Sequence, residues 1–81
     1  MKVKNSGVSA EIDLHGMRKE DALFRLEKYL DFAPNTLERI TVIHGFNSGT
    51  VLRDVVREFK HKKIKQIFKG LTDGQTIFIL K

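Results

Sequence analysis

The stretch that most restricts the fold is a β-branched run that stops at a His-Gly pair and restarts as a helix. Residues 40–43 are Ile, Thr, Val and Ile, and His44 and Gly45 follow directly. A short polar loop comes next, and Ser48, Gly49 and Thr50 open a helical pattern. A strand feeding a glycine-containing loop and then a helix start brings free backbone N–H groups and the positive end of a helix dipole to one corner. Such a corner favours anions. The rest of the chain reads as support for it, or as charge aimed at it.

Eighty-one residues form one small domain. Residues 1–10 are polar, contain Gly and Ser and lack periodicity, so they read as a flexible N-terminal arm ahead of a domain at 11–81. Residues 11–15 alternate, with Ile12 and Leu14 facing one way and Glu11, Asp13 and His15 the other, which predicts a strand that Gly16 breaks. Ala22, Leu23, Leu26, Leu30 and Ala33 have amphipathic spacing and predict a helix over 18–32 that ends before Pro34. A second strand is expected at 38–44 and a second helix at 50–61. In that helix Val51, Leu52, Val55, Val56 and Phe59 face inward, and Arg53, Arg57 and Lys60 face water. Strands at 65–69 and 75–80, with an Asp-Gly signal at Asp73 and Gly74 between them, complete the chain as a hairpin. The order β-α-β-α-β-β predicts a two-layer α/β sandwich, with a mixed four-stranded sheet and both helices on one face.

The net charge of +5 sits wholly within residues 53–69. Arg53, Arg57, Lys60, Lys62, Lys63, Lys65 and Lys69 there face only Asp54 and Glu58. A basic cluster beside an anion-binding corner is the electrostatic footprint for a polyanion such as nucleic acid, and a solvated lysine face is the plainer alternative. Cysteine is absent, which excludes disulfides and thiolate metal sites. No apolar run is long enough to span a bilayer. A soluble cytoplasmic monomer is therefore expected, with no membrane partner.

Parallel pairing of the first two strands would place His15 and His44 on the same sheet edge, where ligands bind in α/β units. Asp13 stands beside His15 on that strand. Histidine moves protons near neutral pH, and a neighbouring carboxylate fixes its tautomer. Arg53 and backbone N–H groups would hold a phosphate. Those parts suffice to cleave a phosphodiester without a required cofactor. Two His and one Asp leave a divalent metal, Mg²⁺ or Mn²⁺, open as an alternative, and a purely structural role at strand ends as another. His61 has no evident partner and receives no role.

Ile12, Asp13, Leu14, His15 and Gly16, followed by an amphipathic helix, resemble the Leu-Asp-x-His motif that opens the Smr (small MutS-related) domain. Residues 43–53, from Ile43 through His44, Gly45 and Gly49 to Leu52 and Arg53, resemble that family's His-Gly-x-Gly-x-Gly loop and the Leu-Arg that follows it. The closing segment from Gly74 to Ile79 is similar to its last strand. The resemblance covers residues 11–81 and implies a fold like the C-terminal domain of bacterial translation initiation factor three. It further implies binding of DNA or RNA and, in several members, endonuclease nicking. By position, Asp13 and His15 match the motif tied to cleavage, His44, Gly45 and Gly49 the glycine loop, and Arg53 the arginine after it. The sequence departs from the pattern at two positions. Phe46 stands where a basic residue is common, and Asn47 replaces the middle glycine. Phe46 would stack on an unpaired base or pack over the sheet edge, and Asn47 can still take a left-handed backbone. The expected function is a nucleic-acid-binding domain that nicks phosphodiester bonds. Phosphate contacts would come from the loop, Arg53, Arg57, Lys60 and Lys63. The alternatives are a non-catalytic DNA/RNA-binding module and a ribosome-associated interaction domain. The family's domain is often fused to an ATPase; no ATP-binding loop stands here, so no ATP dependence is expected.

Overall fold

The computed structural model describes residues 1–45 and 51–81. Its elements in chain order are β1 (Lys2–Ser6), β2 (Ser9–Asp13), α1 (Lys19–Phe32), β3 (Arg39–Ile43), α2 (Val51–Arg57), β4 (Ile64–Lys69) and β5 (Gln75–Leu80). Among the described residues these strands form one mixed sheet in the order β1-β2-β3-β5-β4. The pair β2/β3 is parallel; β1/β2, β3/β5 and β4/β5 are antiparallel. The expected α/β fold is there, with one strand more than the sequence announces.

That extra strand is β1, which replaces most of the flexible arm expected at residues 1–10. All five of its residues are exposed, so no buried alternation marks it in the sequence. Backbone pairing holds it, with Lys2 opposite Asp13 and Ser6 opposite Ser9. The two-residue turn between Ser6 and Ser9 puts Gly7 at φ 61°, a conformation glycine adopts at little cost. The Tyr29 hydroxyl donates to Asn5 Oδ1 at 3.0 Å and ties β1 to α1.

The alternation of β2, β3 and β5 divides the sheet into two faces. Ala10, Ile12, Ile40, Val42, Thr76, Phe78 and Leu80 point to one side and are buried. Ala22, Leu26 and Leu30 of α1 and Leu52 and Val56 of α2 complete that core. Both helices therefore cover a single face, and truncating a wholly buried leucine such as Leu26 to Ala would cost about 2–5 kcal/mol. Val51, expected in the α2 stripe, is exposed, because the helix turns only Leu52 and Val56 fully inward. The opposite face carries Glu11, Asp13, Thr41, Ile43, Ile77 and Phe68, none of them buried.

Candidate functional site

Asp13 is the last residue of β2 and lies on the helix-free face, opposite Ile43 of β3. Two residues on, His15 turns back toward it. Both the His15 backbone N–H (3.1 Å) and the ring Nδ1 (2.6 Å) reach Asp13 Oδ1. The hydrogen bond from His15 holds the Asp13 carboxyl below its ordinary value, with Lys2, its cross-strand neighbour, adding to the effect. An ionised carboxylate accepts only, so Nδ1 carries the proton. Nε2 is then left with its lone pair on a ring that is 69% exposed. Gly45 stands against this ring's base at φ 77°, and a Cβ on it would lie 3.2 Å from His15 Cβ. The two motifs, separate in sequence, thus abut in space.

His44 takes a different position from the one expected. It follows Ile40 and Val42 in parity, so its side chain turns under the helices and is 1% exposed. Nε2 lies 2.9 Å from Thr76 Oγ1, and Nδ1 lies 3.4 Å from the Gly45 carbonyl. Arg57 Nε donates to the same Thr76 oxygen at 3.3 Å. A consistent direction runs from Arg57 Nε–H to Thr76 O–H to His44 Nε2, with Nδ1–H donating to Gly45. Burial is the main cause that lowers the His44 pKa, and the nearby Arg57 and Arg53 charges act in the same sense. His44 is therefore a neutral strut that fixes the Gly45 turn, on the opposite face from His15. The expected cluster of two histidines at one edge separates into one exposed ring, His15, and one buried support, His44.

The basic segment also divides. Arg53 is half-buried, pairs with Asp54 at 3.3 Å and remains near the His44 end. Arg57 leaves Nη2 buried and unpartnered among the described residues. Lys69 stands opposite Thr76 and pairs with Asp73 at 2.7 Å. Lys60 is exposed in the connection leading to the other end of the sheet. There, Lys63 Nζ donates to the carbonyls of Asp31 (3.2 Å) and Ala33 (3.0 Å) at the end of α1. Phe46, Asn47 and Gly49 lie outside the described residues, as does the helix start expected at Thr50.

Sequence reasoning missed three participants. Lys2 joins the Asp13 corner through β1. Thr76 supports His44 from β5, a contact across 32 positions that no local pattern announces. His61, given no role, has Nε2 2.8 Å from Asp31 Oδ1, and its Nδ1 accepts the Lys63 backbone N–H at 3.1 Å.

No helix is long and apolar enough to cross a membrane among the described residues. The same residues hold no cluster of three or more His, Asp or Glu placed for a metal ion. Asp13 is the carboxylate at this corner that would help hold a Mg²⁺ or Mn²⁺ carried in on a phosphate, since such ions are often held by one or two carboxylates plus the ligand's own oxygens.

Residues 12–75 match the family model described as Smr domain. The chain is 43% identical over 88 residues to endonuclease MutS2 of Geobacillus kaustophilus, covering 100% of this chain and 11% of that protein. It is 40% identical over 82 residues to endonuclease MutS2 of Clostridioides difficile, covering 96% of this chain and 10% of that one. For endonuclease MutS2 of Lactococcus lactis subsp. cremoris the values are 40% over 83 residues, 94% and 11%. The chain thus spans about a tenth of the length of these relatives. No solved structure matches it.

Proposed function

Given that the chain belongs to the Smr domain family, we propose that it binds nucleic acid and nicks phosphodiester bonds, with His15 as the group that moves the proton. The observation that carries this is the 2.6 Å Asp13–His15 contact, which spends Nδ1 and leaves Nε2 facing solvent. In hydrolysis a water oxygen attacks phosphorus and its proton passes to Nε2. The P–O ester bond then breaks, and the leaving oxygen takes a proton from the imidazolium or from solvent. Asp13 keeps the tautomer and stabilises the charged ring without becoming protonated itself. Gly45, the loop that follows it, and Arg53 would hold the phosphate, with Arg57 and Lys60 adding positive charge. ATP has no part in this reading. The relatives carry the name endonuclease, which supports nicking here by analogy of the matched segment.

A non-catalytic binding module is the second reading, and the burial of His44 favours it. With that ring under the helices, one imidazole rather than two is exposed at the corner, so acid and base roles cannot be divided between histidines. A cytoplasmic monomer that docks on ribosomes is a variant of this reading, and its mark would be a complex that survives nuclease treatment.

The deciding test is nicking of supercoiled plasmid and of a structured RNA, each with Mg²⁺, Mn²⁺ or EDTA, by wild type and His15→Ala. Loss of nicking by roughly 10²- to 10⁴-fold in the variant, with an unchanged melting temperature, is expected for a general acid–base group. Equal nicking by both proteins removes His15 from the chemistry. Salt-dependent binding with no cleavage by wild type transfers the assignment to the binding module.

A further inference from the structure

We propose that the helix-free face of the sheet is the track for an unpaired nucleic-acid strand, with Lys2 and Lys4 on its phosphates and Phe68 beneath a base. This rests on the nucleic-acid reading above and specifies which kind of strand that corner receives. Register places Lys2 beside Asp13 and Lys4 beside Glu11, both on the same face as the Asp13–His15 pair. Side chains two apart on a strand are about 7 Å apart, comparable with successive phosphates of an extended strand. The rail of positive charge therefore begins at the residue that orients His15.

Asp13 stands opposite Ile43 of β3, and in the neighbouring row Lys4, Glu11, Thr41 of β3, Ile77 of β5 and Phe68 of β4 lie side by side across the sheet. Ile43 and Ile77 are partly exposed, and Phe68, on the edge strand, is 49% exposed. Three strand spacings separate β2 from β4, about 14 Å, a reach of roughly two nucleotides. A half-exposed aromatic beside the partly exposed Ile77 gives a stacking platform to a base whose face is free, and paired bases in a duplex have none to offer. A shallow depression of about 230 Å³ lies on this face between Lys4, Glu11, Arg39 and Thr41. Arg39 adds a third cation at its far side, and two carboxylates oppose the rail, Asp13 beside Lys2 and Glu11 beside Lys4. None of these cations belongs to the basic segment 53–69. The occupant is a single strand because the face combines cations along one border with the apolar Ile43, Ile77 and Phe68 farther across it.

The test is fluorescence anisotropy with labelled 12-nucleotide oligo-dT and oligo-U, and a 12-base-pair duplex, across a salt series. Binding is read in the His15→Ala background, so that no probe is cut, and each variant's melting curve is recorded. Single strands are expected to bind at least tenfold tighter than the duplex. Lys2→Gln with Lys4→Gln should flatten the log–log salt slope by about 1.4, since each single-strand phosphate contact contributes about 0.7. Phe68→Ala should weaken strand binding roughly 5- to 100-fold, Phe68→Leu nearly as much because leucine keeps the apolar contact but has no ring, and Glu11→Gln should tighten it. Duplex binding equal to or tighter than strand binding overturns the proposal, as does strand affinity unchanged by the lysine and Phe68 changes. Plasmid nicking by wild type, run alongside, separates the two claims. His15-dependent nicking with no use of this face defeats only the track. Strand binding on this face without nicking defeats only the catalytic reading.

Discussion

Among the described residues stand two histidine–aspartate pairs of nearly equal length, Asp13–His15 at 2.6 Å and Asp31–His61 at 2.8 Å, with different prospects. His15 has one nitrogen on its carboxylate and the other open, on a side chain 69% exposed. The His61 side chain is 7% exposed; its Nε2–H is on Asp31, its Nδ1 accepts the Lys63 N–H, and its ring stacks on Phe59. A dyad does chemistry only if a nitrogen is left over. The difference between the pairs is therefore one of hydrogen-bond accounting, since the partners and the distances are nearly the same.

The largest effect that sharpens this contrast comes from removing each ring in turn. His15→Ala should cost nicking its roughly 10²- to 10⁴-fold contribution while changing stability by no more than about 0.5 kcal/mol. His61→Ala should do the reverse. The orphaned Lys63 N–H and the lost stacking lower stability by about 1–3 kcal/mol, while nicking per folded molecule is retained. Plasmid nicking and chemical denaturation on both variants provide the check. Loss of nicking in a folded His61→Ala protein would break the contrast.

Gly45→Ala comes next in size, and it probes why the open dyad points where it does. The backbone at φ 77° disfavours any Cβ, at about 1–2 kcal/mol. The added carbon would also press on His15 Cβ from 3.2 Å. A displacement of that ring by about 1 Å should lower nicking by on the order of 100-fold. A Gly45→Ala protein that nicks normally, despite a lower melting temperature, would show that His15 does not depend on this contact.

The two dyads were not equally legible in the sequence. Asp13 and His15 are two apart on an alternating strand, so their proximity follows from period two alone. Asp31 and His61 are 30 positions apart and meet only because α1 and the connection before β4 end at the same edge. The parallel β2/β3 pair and both helices were readable because each buries one face and so leaves a period, and the closing hairpin because Asp73 and Gly74 mark its turn and β5 alternates. β1 left none, since its fully exposed side chains pair only through the backbone; Gly7, two residues before the alternating Ser9–Asp13 strand, was the available turn signal. The inward turn of His44 was within reach too, because the alternation that buries Ile40 and Val42 continues to it. Parity turns its ring to the helix side even though His44 and His15 both follow the ends of the paired strands β3 and β2.

Acid titration separates the buried histidine from the open one by a smaller effect. His44 is kept neutral by burial, so its folded pKa is below the usual 6.5. The unfolded chain then binds more protons as pH falls through 6.5, and stability, complete above that pH, declines below it. Asp13 behaves as a depressed carboxyl, stabilising above 3.8 and losing that contribution as pH falls through its lower folded value. Asp31 and Asp73 are depressed in the same sense by His61 and Lys69. The melting temperature should therefore drop in two stages, and His44→Gln should flatten the first, between pH 7 and 5, without touching the second. An unchanged first stage in His44→Gln would place its origin elsewhere.

The smallest predicted effect concerns Lys63, which sequence alone assigns to the nucleic-acid face. The last turn of α1 contains no basic residue of its own, so its C-terminal carbonyls carry uncompensated negative dipole. Lys63 supplies the missing charge from another segment, at 3.2 and 3.0 Å from the Asp31 and Ala33 carbonyls, on the edge away from His15. An ammonium committed there has little reach toward a phosphate at the Asp13 corner. Lys63→Met, which keeps the apolar stem, should lower stability by about 0.3–1 kcal/mol, more at low salt than at high. It should leave the log–log salt slope of strand binding unchanged, whereas a phosphate contact would remove about 0.7 from it. A flatter slope at unchanged stability would return Lys63 to the binding surface and extend that surface to the edge where His61 is spent. The contrast between the two ends of the sheet would then be one of chemistry alone, with nucleic acid touching both.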